Sequence, residues 1–351
     1  MKKTAARILT GHRPTGPRHL GHLVGTLQNW VRLQDTHQCF FLVADLHVLT
    51  TDYEHPDRIG ENTLEMAYDW LAAGIDPARS MLVLQSAVPE HAVLCLLLSM
   101  LTPVGRLERV PTYKDQVKEL GISPSLGLLA YPVLQAADIL VYRANAVPVG
   151  EDQLPHLELA REIARRFNQL YGEYFAEPEA LLSAYPRLPG IDNRMMHTSY
   201  NNAIYLRDTP EETERKVMRM YTDPTRIHAT DPGHIEDNPV FTYLDIFDPN
   251  KNRVSELKEL YQKGEVGDVE VKHYLADVLN AALAGHRQRR AQFAARPQDV
   301  LDILQSGSNR ARVVARETLE VVMEKMGLRT GLSLSETFTQ QQVAALTGPA
   351  C

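Results

Sequence analysis

The sequence predicts an α/β protein: a Rossmann-type, doubly wound parallel sheet followed by a smaller all-helical C-terminal domain. Three observations carry this. Short, continuously apolar runs such as Cys39 to Ala44 and Ser80 to Leu84 alternate with longer stretches of helical spacing across the first half. A segment rich in Gly, Pro and His follows the first apolar run and precedes the first helical pattern. From Pro210 onward the strand-like runs cease, and helical patterns with polar connections take over.

In chain order, Arg7-Ile8-Leu9 ends a first strand, and Leu23 to Gln34 has helical spacing. Cys39 to Ala44 is apolar throughout, which fits a strand buried on both faces. Pro56 to Ala73 is a helix with Pro near its start and Gly74 after its end. Ser80 to Leu84 is the next strand, and Pro89 to Leu101 an apolar helix, either core or interface. Gly121 to Gly127 is a loop by composition. Leu128 to Tyr142 is helical, Ala146 to Gly150 a strand running into a turn, and Leu154 to Phe167 an amphipathic helix. Pro178, Pro186, Pro189 and Gly190 punctuate a boundary. Pro210 to Arg290 is a helical unit, and Pro297 to Met326 adds one or two helices. The stretch after Leu328, rich in Thr, Ser, Gln and Gly, is expected to fray.

At 351 residues the chain is long enough for about two domains. A composition of 44% hydrophobic and 23% charged residues excludes long disorder, a collagen-like repeat and a coiled coil. No run of about 18 apolar residues is present, so no membrane-spanning helix is expected. The basic start has too short an apolar stretch for a signal peptide. The three cysteines are far apart and form no C-x-x-C pair, which argues against a disulfide framework or a structural zinc site and for a cytoplasmic location. A net charge of −7 argues against a general nucleic-acid coat, while leaving room for a local basic face that docks one RNA.

The most informative segment is Gly11-His12-Arg13-Pro14-Thr15-Gly16-Pro17-Arg18-His19-Leu20-Gly21-His22. A strand-to-helix junction presents unpaired backbone N–H groups and a positive dipole end, which suits phosphate. Glycines allow close backbone approach. His19 and His22, three apart, can face one phosphate chain and donate hydrogen bonds to developing negative charge. The plainer alternative is a Gly/Pro turn with two surface histidines. A second segment, Tyr131-Pro132-Val133-Leu134-Gln135-Ala136-Ala137-Asp138-Ile139-Leu140, is mostly apolar yet holds a carboxylate. On a helix Tyr131, Gln135 and Asp138 share a face. Such a carboxylate must meet a donor, either inside the protein or on a ligand.

Pro14-x-Gly16-x-x-His19-Leu20-Gly21-His22 resembles the ATP-binding signature of class I aminoacyl-tRNA synthetases. Tyr131-Pro132, Gln135 to Leu140, Val147 to Gln153 and His156 to Arg161 extend the resemblance, from about Leu9 to about Met326, to the tryptophanyl-tRNA synthetase family. That resemblance implies ATP contacts from His12, Arg13, Pro14, Thr15, Gly21, His22 and Leu188, with Gly150, Glu151 and Asp152 at the ribose. It implies catalytic roles for His19 and His22. It assigns the indole N–H to Asp138, the ammonium group to Tyr131 and Gln153, and a pocket position near the substrate carboxylate to His47. Gln135 stands where many tryptophan enzymes carry Met, and a Gln there is familiar from the tyrosine enzymes.

The family's second signature, K-M-S-K-S, corresponds to Met195-Met196-His197-Thr198-Ser199, so both lysine positions lack a lysine. Arg194 and His197 are expected to compensate in part. Gln116 stands at the place of a further loop lysine, with Lys114 and Lys118 nearby. Because nucleotidyl transfer depends on positioning and charge stabilisation, a divergent, auxiliary form with weakened adenylation is implied. The implied organisation is 1–190 catalytic, 191–206 second loop and linker, 207–290 anticodon-binding, and 291–351 C-terminal helices and tail. The implied partners are L-tryptophan, ATP with magnesium, tRNA(Trp) and a second copy of the chain; no metal-ligand set is expected. His286 to Arg290 is either a contact to tRNA phosphate or a solvated helix face. Two competitors stay open: a tryptophan- and ATP-binding regulatory or accessory protein, or a tyrosine-specific relative. A small-molecule adenylyltransferase fits the helical C-terminal half less well.

Overall fold

The computed structural model describes residues 6–120, 124–182, 188–196, 200–228 and 230–328. Five strands, β1 (Arg7–His12), β2 (Gln38–Val43), β3 (Met81–Leu84), β4 (Ala146–Val149) and β5 (Glu179–Leu182), form one parallel sheet in the order β3-β2-β1-β4-β5. Strand order therefore reverses between β1 and β4, and the crevice outside their C-terminal ends is where open α/β sheets bind ligands. Both faces are covered, as the continuous apolar runs require. On β2, Cys39, Phe41 and Val43 enter one core, and Phe40 and Leu42 the other.

The helices are α1 (Leu20–His22), α2 (Gln28–Leu33), α3 (Asp45–Val48), α4 (Ile59–Ala73), α5 (Glu90–Ser99), α6 (Val104–Leu107), α7 (Pro111–Leu120), α8 (Leu126–Val141), α9 (Leu154–Tyr171), α10 (Pro210–Met218), α11 (Pro239–Phe247), α12 (Lys251–Lys263), α13 (Asp268–Ala294) and α14 (Pro297–Lys325). A π-helical turn, Leu23–Leu27, joins α1 to α2. Trp30 of α2, Phe41 of β2 and Trp70 of α4 meet in a buried aromatic cluster, with ring centroids 5.1 and 5.3 Å from Trp30. Burying one such ring contributes on the order of 4–6 kcal/mol before entropy is subtracted. His12 stacks on Trp30 at 4.6 Å, so this cluster is the floor beneath the end of β1.

Two features differ from the sequence expectation, and a third, one C-terminal helix, falls within it. The proline-rich boundary holds a fifth strand, β5, paired with β4 from Ala146↔Glu179 to Val149↔Leu182. Helix α8 starts at Leu126 rather than after the glycine, because the Ser125 side chain accepts the Leu128 N–H (3.1 Å) and caps it. The stretch from Pro297 is a single helix lying on β3: Ser308 Oγ accepts the Leu84 N–H (2.9 Å), and a Cβ on Gly307 would sit 2.1 Å from the Leu82 carbonyl oxygen. Only glycine fits there, and α14 covers the edge strand β3.

The basic run of α13 is tied to the protein at several points, although Gln288 and Arg289 stay exposed. Arg290 binds Asp69 (2.8 Å) and Glu65 (2.5 Å) of α4, Arg289 donates to the Ala72 carbonyl (2.7 Å), and Arg287 donates to Thr213 (2.7 Å). Arg287 and Arg290 thus depart from a purely solvated face: half-buried, they fasten α13 to α10 and α4. The residues after Leu328, including the expected fraying tail, lie outside the described residues.

Candidate functional site

The crevice between β1 and β4 opens into a cavity of about 820 Å³. It is large enough for a nucleotide-sized ligand. Thr10, Gly11 and His12 supply one wall, Val147 to Gly150 the other, and α8 the far end through Tyr131, Gln135 and Asp138.

At the near end, the first-signature loop leaves β1 and turns through Gly16, whose φ of 141° lies in the region that favours glycine. His19 precedes α1. Its backbone N–H donates to His22 Nδ1 (3.3 Å), and the two rings lie 3.8 Å apart. Gly21 is required by close approach, since a Cβ would stand 3.0 Å from the His19 ring. Thr26, within the π-helical turn, donates to the His22 carbonyl (2.7 Å) and lies 3.3 Å from His12 Nε2. Burial holds the His12 imidazole well below its usual range, and the charges of Arg18 and His19 add to this. His12 is thus neutral.

Arg13 and Arg18 are cations of this end. Arg13 donates to Thr51 Oγ1 (2.6 Å). Arg18 is buried at 4% exposure, and burial lowers its guanidinium to about 10 against the opposing influence of Asp69. Among the described residues neither guanidinium forms an ion pair with a carboxylate. Arg18, at a variable position of the signature, was missed by sequence reasoning.

The second loop is stapled to the first. Leu20 N–H donates to the Ile204 carbonyl (3.0 Å) and Leu206 N–H to the Arg18 carbonyl (2.9 Å). Asn202 Nδ2 closes the loop's base onto Asp192 (2.8 Å) and the Met195 carbonyl (3.1 Å). Leu188, Met195 and Met196 line the cavity. Arg194 does not: it pairs with Asp192 (2.6 Å) and lies over the Tyr200 ring. Pro14 and Glu151 also stand outside the lining, whereas Thr15, Gly21, Gly150 and Asp152 belong to it. His197, Thr198 and Ser199 lie outside the described residues, as does the Gln116 side chain.

At the far end Asp138 is 2% exposed and meets three side chains of the protein. Oδ1 receives His91 Nδ1 (2.6 Å) and Gln85 Nε2 (2.8 Å), while Oδ2 receives His47 Nε2 (2.9 Å) and Gln85 Nε2 (2.9 Å). His91 continues to Tyr142 OH (2.7 Å). Burial alone would push the Asp138 carboxyl up; the charges and hydrogen bonds of His91 and His47 overcome it and hold it at about 2. The internal partner that the sequence left open is therefore present, and Asp138 also lines the cavity with His47. Tyr131 OH lies 3.3 Å from His156 Nε2, and Gln135 Nε2 donates to Gln153 Oε1 (3.4 Å). Burial lowers the His156 imidazole from 6.5 to about 4. Gln85, His91 and His156 were not singled out as site residues from sequence. Polar side chains in apolar surroundings were the only signal available.

The fold, with a ligand crevice at the strand reversal and a signature loop of two histidines, defines a nucleotide-binding α/β enzyme of the class I synthetase type. The profile of class I tRNA synthetases (W and Y) matches residues 1–284. The tryptophan–tRNA ligase of Chlamydia caviae is 48% identical, covering 93% of this chain and 99% of its own. That of Thermotoga maritima is 47% identical, covering 92% and 99%. The crystal structure of Campylobacter jejuni tryptophanyl-tRNA synthetase, complexed with ADP and tryptophan, superposes with a TM-score of 0.84 at 36% identity, covering 92% of this chain and 100% of that one. The chain belongs to the class I tRNA synthetase family for tryptophan and tyrosine.

Proposed function

We propose that the protein is a tryptophan–tRNA ligase: it joins L-tryptophan to ATP, giving tryptophanyl-adenylate and pyrophosphate, and transfers the tryptophanyl group to tRNA(Trp). The carrying observation is the single cavity that joins the signature histidines to the Asp138 pocket across the β1–β4 crevice. The relatives, named tryptophan–tRNA ligases, favour the enzyme over an accessory binder and tryptophan over tyrosine.

In this reading His19 and His22 donate hydrogen bonds to the phosphates, with His12, Arg13, Thr15, Gly21, Leu188, Met195 and Met196 shaping the nucleotide end. Gly150 and Asp152 meet the ribose. Asp138 accepts the indole N–H, its orientation fixed by Gln85 and His91. Tyr131 and Gln153 hold the ammonium group, and His47 stands near the carboxylate. That carboxylate attacks the α-phosphate in line, so no side-chain nucleophile is needed; positioning supplies most of the acceleration. Magnesium comes with the nucleotide. When bound, it would neutralise part of the phosphate charge.

The helical part, 207–290, is the anticodon-binding unit. The chain pairs with a second copy through α5, the turn after it and the start of α6, where Val93, Leu96, Met100 and Val104 are exposed (40–69%). It works in the cytoplasm; among the described residues no helix is long and apolar enough to cross a membrane. Charging of a tRNA(Trp) transcript with labelled tryptophan tests the proposal. Tryptophanyl-tRNA is expected, and adenylate formed without any charging would favour the accessory protein.

A further inference from the structure

We infer that Arg18 is a cation of the triphosphate site that meets the pyrophosphate leaving group, in the role that lysines of the second loop hold elsewhere in the family. The inference rests on the reading of the cavity as an ATP site. In the reaction a tryptophan carboxylate oxygen bonds to the α-phosphorus as the bond from that phosphorus to the bridging oxygen breaks. Pyrophosphate leaves with the electron pair, and negative charge grows on it. A cation held near it favours that separation.

The described residues of the second loop bring no charge to the cavity. Met195 and Met196 line the cavity as uncharged side chains, and Arg194 is turned onto Asp192. Arg18 lines the same cavity from the first loop, 3.5 Å from His22 Nε2 through one terminal nitrogen. Its other terminal nitrogen donates to the carbonyls of Gly16 (2.6 Å) and Arg13 (3.4 Å). Its Nε has no partner among the described residues. Asp69 does not neutralise it by direct pairing. Asp69 Oδ2 instead accepts the Arg18 backbone N–H (3.1 Å), and Oδ1 pairs with Arg290. A buried guanidinium without an ion pair is costly unless an anion arrives. The site stores that cost as positive potential, and a polyphosphate relieves it.

Two variants test this, with single-turnover adenylate formation, calorimetric binding of inorganic pyrophosphate and of tryptophan, and thermal melting as readouts. Arg18→Met is expected to slow adenylate formation by about 10²–10³-fold. It should weaken pyrophosphate binding, leave tryptophan affinity unchanged, and leave Tm unchanged or raised because an unpaired buried charge is gone. Arg18→Lys should keep most of the rate. A normal rate in Arg18→Met overturns the inference. So does a fall in rate, Tm and tryptophan affinity together that Lys does not rescue, which would make Arg18 a clasp for the loop. Should the wild type form no adenylate at all, the ligase reading fails separately, and the pyrophosphate affinities of wild type and Arg18→Met still decide the role of Arg18.

Discussion

The two ends of the cavity meet opposite electrostatic problems in opposite ways. At the far end a buried anion, Asp138, meets donors from Gln85, His47 and His91 while still lining the cavity. At the near end the buried Arg18 and the half-buried Arg13 have hydroxyl, carbonyl and imidazole partners but, among the described residues, no carboxylate pair. A satisfied network fixes shape and gives selectivity. An unsatisfied charge lowers the stability of the empty protein and returns that free energy when the complementary charge binds. Removing the charged side chain at the Asp138 end should therefore destabilise the fold, and at the other end mainly disarm the site.

The largest expected effect is at the amino-acid end. Asp138→Ala leaves two imidazoles and an amide facing a void, and breaking such a buried charged network costs about 3–5 kcal/mol. Asp138→Asn keeps the volume and isolates binding. Loss of a charged acceptor, worth about 1.5–3 kcal/mol, should weaken tryptophan roughly 10- to 150-fold with ATP affinity little changed. Calorimetry decides this, and unchanged tryptophan affinity in Asp138→Asn would reduce Asp138 to a packing role. The next effect lies at the phosphate end. Met195→Lys with Thr198→Lys restores the family's second-loop charges. Adenylate formation should rise, by at most about 10²–10³-fold, and more than ATP affinity does, because charge develops in the transition state. An unchanged or lower rate in a folded double variant that still binds ATP would show that this loop does not approach the triphosphate.

The smallest effect concerns pH. His156 is neutral when folded, with its imidazole lowered from 6.5 to about 4 by burial. Between those values the unfolded chain takes up a proton that the folded chain refuses. Stability is therefore present above about 6.5 and lost as the pH falls toward about 4. His156→Gln should flatten this part of the melting profile by a few degrees and leave Tm at neutral pH nearly unchanged. A profile as steep as the wild type would mean that another group governs the acid side.

Much of this was legible in the sequence. The central strands showed as uninterrupted apolar runs because a sheet buried on both faces needs them, and the signature loop showed through its spacing. What stayed hidden was set by contacts between residues distant in sequence. Glu179–Leu182 reads poorly as a strand because it is a short edge segment with only its middle residues partly buried. The position of α14 depends on Gly307 and Ser308 meeting β3, more than 200 residues earlier. The inward turn of Arg290 requires Asp69 and Glu65 on another helix, and Asp138 finds its partners 47 to 91 residues away. Arg18 occupies a variable position in its motif, so spacing gave it no weight; its burial without an ion pair is visible only in three dimensions.

The protein is a class I synthetase whose cavity joins the first-signature loop to a pocket built around Asp138. The most direct measurement is amino-acid-dependent ATP–pyrophosphate exchange on the wild-type protein, with tryptophan and tyrosine run side by side. The account predicts exchange with tryptophan and none above background with tyrosine. Exchange driven by tyrosine, or none with either amino acid while ATP still binds, would contradict it.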